Sequence, residues 1–275
     1  MKNNLAICTW ILGLTRVREI CDKVKHLGLD GFQFSGDGRT YDAKELRAAA
    51  DANGLRIFAI DPYDCKPDNT IIVTAEAAVQ YYKEQVIDFA VESGVPWVTI
   101  QGLTHWTTNC KTDSAAWEQM VYCCRELSHY AGQHKIRLLF EAVNRYESPM
   151  IRTAADCLKL IEDVGTDDIG VVLDSFHMNI EEHSSCDALQ LVGKYLVSYH
   201  ISDSNRSGID NGHINFLAQH RKLTELEFKG PVMIEIVLPA LSPMTPPRNR
   251  VEWEQFDEEI ERSIHKWRGY DLVHH

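Results

Sequence analysis

Short apolar runs alternate with amphipathic stretches from one end of this chain to the other. The runs occupy residues 5–10, 31–35, 55–60, 97–101, 136–141, 169–174, 196–202 and 232–236. They are rich in β-branched or aromatic residues and bounded by turn formers, so they read as eight strands. Helical spacing fills the gaps. Val17, Ile20, Cys21, Val24 and Leu27 form one face, with Gly28 as the stop. Val79, Tyr82, Val86, Phe89 and Ala90 form another, closed by Ser93 and Gly94, and Cys157, Leu158, Ile161 and Val164 a third, closed by Gly165. Asp42 and Glu45 have the spacing of a capping box ahead of Leu46. Such stripes predict helices packed on a sheet.

Strand–helix alternation implies a parallel sheet with right-handed crossovers. Eight such units predict an α/β fold, a single (β/α)8 TIM barrel occupying residues 1–275. An open doubly wound sheet would want a glycine-rich phosphate loop after its first strand. Here the first run leads into Cys8-Thr9-Trp10-Ile11-Leu12-Gly13, which has no such pattern. The proline-rich stretch 238–248 follows the last run and is expected to lie over the barrel mouth.

A length of 275 residues suits one barrel and needs no metal or disulfide to fold. Apolar residues make up 44% and charged residues 25%, as in ordinary globular enzymes. The net charge of −12 argues against nucleic acid or an anionic membrane as partner. No apolar run approaches the length of a membrane span. The start, Met1-Lys2-Asn3-Asn4, lacks the features of an export signal. Eight cysteines occur without a C-x-x-C pair, which predicts buried thiols in a reducing cytoplasm.

The chemistry is legible in how the last four strands end. They finish on Glu141, Asp174, His200 and Glu235, each after three apolar or small residues. In a barrel these ends share one rim, the rim that carries the active site. One strand-end carboxylate is ordinary, but four ionisable groups on consecutive strands are costly unless they are ligated or paired. Three carboxylates and an imidazole form a hard-leaning donor set. It suits Mn2+ first, with Mg2+ and Co2+ as alternatives, over a thiolate-bound structural zinc. Cys8 and Trp10 near the first strand end, and His105 and Trp106 after the fourth, are candidates for the pocket wall.

Longer motifs surround these positions. Phe140-Glu141-Ala142-Val143-Asn144-Arg145-Tyr146-Glu147 resembles the strand-five motif of the D-tagatose/D-psicose (allulose) 3-epimerase family of xylose-isomerase-like barrels. Val172-Leu173-Asp174-Ser175-Phe176-His177-Met178-Asn179-Ile180-Glu181-Glu182 resembles its strand-six motif. His200-Ile201-Ser202-Asp203-Ser204-Asn205-Arg206, then Gly212-His213, resembles its strand-seven motif, and Pro231-Val232-Met233-Ile234-Glu235 its last. The resemblance is strong over 138–235. It implies that Glu141, Asp174, His200 and Glu235 bind the metal and that Glu141 and Glu235 also act as acid and base. It further implies that Glu147, His177 and Arg206 bind the substrate's C1–C3 oxygens.

Elementary chemistry makes such a set coherent. Taking a proton from beside a carbonyl leaves negative charge on oxygen, which a divalent cation and an arginine stabilise. Two carboxylates on opposite faces of the carbon can take the proton and return it with inverted configuration. The expected function is C3 epimerisation of a free ketose. The alternative keeps the site but takes a 3-keto glycoside or an inositol-derived ketone, for epimerisation, dehydration or C-glycoside cleavage. The loop after the last strand lacks the glycines of a phosphate site, which favours a sugar without phosphate. The expected partner is a small sugar, with neither nucleic acid nor membrane. A homo-oligomer is compatible with such barrels, although no interface is marked.

Overall fold

The computed structural model describes residues 3–63, 65–67, 73–241 and 245–272. Among these, eight parallel strands pair in chain order and close into a barrel. They are β1 (Leu5–Cys8), β2 (Gly31–Ser35), β3 (Arg56–Asp61), β4 (Trp97–Thr99), β5 (Arg137–Glu141), β6 (Gly170–Asp174), β7 (Leu196–Ile201) and β8 (Val232–Ile234). Closure is made by β1 against β8, with Ala6 opposite Met233. Gly31 is required where β2 meets β3, because a Cβ there would stand 2.0 Å from the Arg56 carbonyl oxygen.

The helices form the outer ring: α1 (Val17–His26), α2 (Ala43–Asn53), α3 (Ala75–Tyr81), α4 (Asp88–Ser93), α5 (Asp113–Gln133), α6 (Ala154–Val164), α7 (Ser175–Glu181), α8 (Ser185–Val192), α9 (Phe216–Glu225) and α10 (Arg250–Tyr270). The expected stripe of α1 is buried, and the chain leaves that helix through Gly28 at φ +70°. Asp42 caps α2 by accepting from the Glu45 N–H. Thr153 and Asp156 cap α6 reciprocally. The stripe from Val79 to Ala90 runs through α3 and α4, which are joined by a π-helical turn over Tyr82–Ile87. Tyr82, Val86 and Ile87 of that turn are buried.

The core has two layers. Inside the barrel, Ala6, Cys8, Phe58 and Met233 form one packed group, and Ala59, Leu139, Val172 and Val197 another. A larger annulus lies between strands and helices. Among the described residues no helix is long and apolar enough to cross a membrane. All eight cysteines are free, and six of them are buried.

Several strand ends differ from the sequence expectation. The first, fourth, seventh and eighth strands stop early. After Cys8 the backbone tightens into a 3-10 turn, Thr9–Leu12, which Gly13 closes in the left-handed region. After Ile100 it does so again over Gln101–Thr107. The third strand instead runs one residue further than expected and ends on Asp61. Of the stretch 238–248, residues 242–244 lie outside the described residues.

Candidate active site

Glu141, Asp174 and His200 sit at or near the ends of β5, β6 and β7, and Glu235 directly follows β8. The Glu235 backbone N–H is still held by the Ile201 carbonyl, at 3.1 Å. One ligand atom from each of the four residues lies within 4.8 Å of the others, and all four residues are buried. His200 Nδ1 is 3.0 Å from Glu235 Oε2 and 3.4 Å from Glu141 Oε1. Asp174 has two tasks: Oδ1 caps α7 by accepting from the Phe176 N–H at 2.7 Å, while Oδ2 pairs with Arg206.

The charge balance of the donor set bears on whether it fits a divalent cation. Three buried carboxylates face one guanidinium, since Arg206 reaches both Asp174 and Glu235. With His200 protonated, as its raised pKa implies, one negative charge remains without compensation, and two remain once His200 is neutral, as a metal ligand must be; low-dielectric surroundings penalise either excess. The penalty shows in Glu141, whose carboxyl burial pushes up to about 7. Burial also works to raise Glu235, but Arg206 and then His200 outweigh it and hold that carboxyl well below the usual range. Oxygen-rich ligands with one imidazole, and an excess of two negative charges once that imidazole is neutral, fit a hard divalent ion.

The residues around this cluster are held in place in turn. Arg206 occupies a left-handed backbone position at φ +65°, in a turn where its N–H donates to the Asp203 carbonyl and the Asp203 N–H to that of Ser207. That strained turn sends the guanidinium 4.9 Å over the Phe176 ring and into the carboxylates. Asn144 donates through Nδ2 to His177 Nδ1 at 2.8 Å and to Glu147 Oε1 at 2.8 Å. Its backbone N–H donates to the same His177 nitrogen. His177 Nδ1 is therefore an acceptor, which leaves the proton on Nε2. Burial lowers the His177 pKa, so the ring is neutral near pH 7. Trp10 donates its indole N–H to Glu235 and stacks on Tyr63 at 5.8 Å.

A cavity of about 950 Å³ opens over the cluster. Glu141, Glu235, Glu147, His177 and Arg206 line it, as do Trp10 and His105. The other two wall candidates lie elsewhere. Cys8 is fully buried inside the barrel with its sulfur 3.9 Å from His200 Nδ1, and burial raises its thiol pKa far above the ordinary range. Trp106 packs on Tyr81 in the core and donates to the Cys65 carbonyl.

Sequence reasoning missed Asp61, Thr99 and Gln101. Asp61 lines the cavity at the end of β3 and accepts from Thr99 Oγ1 at 2.5 Å and from Gln101 Nε2 at 3.2 Å. The signal was present, because an apolar strand ending in a carboxylate is the pattern that marked the other four. Stopping the strand at Ile60 hid it.

Comparison with known proteins agrees with this geometry. The sequence pattern of the xylose isomerase-like TIM barrel family matches residues 21–261. A D-psicose 3-epimerase from Ruminiclostridium cellulolyticum is 32% identical over 228 residues, covering 78% of this chain and 76% of its own. A 3-dehydro-D-guloside 4-epimerase from Escherichia coli is 25% identical, over 84% of this chain and 90% of its own. Among solved structures, D-psicose 3-epimerase from Clostridium cellulolyticum with D-tagatose superposes with a TM-score of 0.81 at 21% identity. That superposition covers 97% of this chain and 99% of that one. The chain therefore belongs to the xylose isomerase-like TIM barrel family and is an isomerase of its sugar-epimerase branch.

Proposed function

We propose that this protein inverts C3 of a free ketose, with a divalent cation held by Glu141, Asp174, His200 and Glu235. The observation that carries the proposal is the convergence of those four side chains, with their uncompensated negative charge, on one buried point of the cavity. A cation bound there would supply positive charge against the oxygen that becomes negative. Mn2+ is the first choice, with Mg2+ or Co2+ able to replace it.

Glu141 and Glu235 come from the two ends of the β5–β8 arc and flank the point between them. One takes the C3 proton, and the C–H electron pair moves into the C2–C3 bond as the C2 carbonyl becomes an enediolate. The other, as the carboxylic acid, returns a proton to the opposite face. Their roles exchange for the reverse reaction, as microscopic reversibility demands. His177 donates from Nε2, Glu147 accepts, and Arg206 adds fixed positive charge, so the three together orient the oxygens of C1–C3. The carboxylates lining the cavity favour a substrate without phosphate.

A second reading has its own support. The cavity of about 950 Å³ leaves room beyond a six-carbon ketose, and a relative bears the name 3-dehydro-D-guloside 4-epimerase. A 3-keto glycoside would occupy that space with its further group.

The test is the purified protein with Mn2+ and a ketohexose panel in D2O, followed by NMR. C3 epimers carrying solvent deuterium are the expected products. If no ketose gains deuterium at C3, the free-ketose reading fails. Turnover of 3-keto glycosides in its place would establish the second.

A further inference from the structure

The cluster draws only on β5–β8, so a substrate anchored there by C2 and C3 must extend its other end over the mouth of β1–β4. A buried carboxylate with no part in the reaction stands on that side. Asp61 is 8% exposed, and its Oδ1 is fixed by two donors, Thr99 Oγ1 and Gln101 Nε2. Its Oδ2 takes no hydrogen bond among the described residues, yet the side chain lines the cavity. Gln101 spends one of its two amide N–H groups on Asp61, and its buried Oε1 has no partner among the described residues. One acceptor, Asp61 Oδ2, is thus left for the far end of the substrate. An unmet carboxylate oxygen in a desolvated wall asks for a hydroxyl group and repels an anion placed against it.

We propose that Asp61, braced by Thr99 and Gln101, is a specificity-determining residue that accepts a hydrogen bond from a hydroxyl on the non-reacting end of the substrate. The site then selects neutral sugars hydroxylated at that end over deoxygenated or phosphorylated ones. The inference rests on the ketose reading for which end is remote, but it concerns recognition and not proton transfer.

Binding separates the two. The Mn2+-loaded protein is titrated with ketohexoses, with analogues deoxygenated singly at C4, C5 or C6, and with 6-phosphates, and affinity is read by calorimetry. Wild type should favour the full ketose over one deoxy analogue by ~10- to 100-fold, as expected for a hydrogen bond to a charged group. It should bind the 6-phosphate most weakly. Asp61→Leu should level both preferences, and Asp61→Asn, which keeps the shape and one acceptor oxygen, should reduce them partway. Mn2+ uptake should be unchanged in both variants. A wild type without such a preference, or a preference that survives Asp61→Leu, overturns the assignment, as does an equal loss for all ligands. Selective binding without deuterium uptake at C3 would remove the epimerase reading and leave the subsite standing.

Discussion

Glu235 is the most heavily supported side chain in the site: Trp10, His200 and Arg206 all reach it. Glu235→Gln keeps its volume and removes the proton acceptor, so turnover should fall by ~10²–10⁴-fold or more, with the thermal midpoint little changed. Near-normal rates for that variant would remove Glu235 from the reaction. Asp61 yields a prediction about stability. Burial lifts its carboxyl from 3.8 to about 6, against the pull of Thr99 and Gln101. Between those values the folded chain binds more protons than the unfolded one, so stability falls as pH rises through the window. Asp61→Asn relieves this. Its advantage over wild type, measured by denaturant unfolding, should be absent near pH 3, grow through pH 4 to 6 and level at about 3 kcal/mol. An advantage independent of pH would contradict it. Single residues were legible in the sequence where an ionisable group ended an apolar run, as at Glu141, Asp174, His200 and Glu235. Cys8 and Trp106 were not, because a strand-end or loop position leaves open whether a side chain turns into the cavity or the core.

At the scale of elements, periodicity located all eight strands and erred at their ends. Trp10 and Gln101 fall in 3-10 turns that continue the apolar pattern of the strands before them, so hydrophobicity alone could not mark the change. The π-helical turn over Tyr82–Ile87 is similarly invisible, since the buried stripe runs on through it. The loop after β7 offers the sharpest test of local geometry. A Cβ on Gly212 would lie 2.2 Å from Asp203 Oδ1 and 2.4 Å from Ser204 Oγ. Asp203 Oδ1 also ties the loop through the Ser204 and Ile214 N–H groups. Gly212→Ala should therefore displace the turn that presents Arg206, lowering kcat/KM by about tenfold or more. An unchanged kcat/KM would show that the turn tolerates the shift.

The whole molecule joins a stable scaffold to a site that strains it. Excess negative charge at the barrel mouth opposes folding, and a cation that binds only the folded chain removes that cost. Saturating Mn2+, at about a hundred times its dissociation constant, should stabilise the protein by about 2.7 kcal/mol. The thermal midpoint should rise by a few degrees and return on adding a chelator. Glu141→Gln should lose most of that response. A midpoint indifferent to Mn2+, Mg2+ and Co2+ would leave the cluster without the role assigned to it. At this scale the barrel, the acidic balance and the sugar-epimerase class were all legible. The far wall of the pocket was legible only in part: Trp10 and His105 were marked as wall candidates, whereas the bracing of Asp61 by Thr99 and Gln101 arises only when β3 pairs with β4.

The confinement of the four clustered residues to β5–β8 has a consequence for descent. On the proposed reading, the proton-moving carboxylates and the residue that selects the substrate's far end occupy separate arcs of one ring. On that reading, exchanging side chains at the mouth of β3 and β4 retunes which polyol is accepted while the proton-moving arc stays intact. A lineage built this way can diversify its diet one strand end at a time.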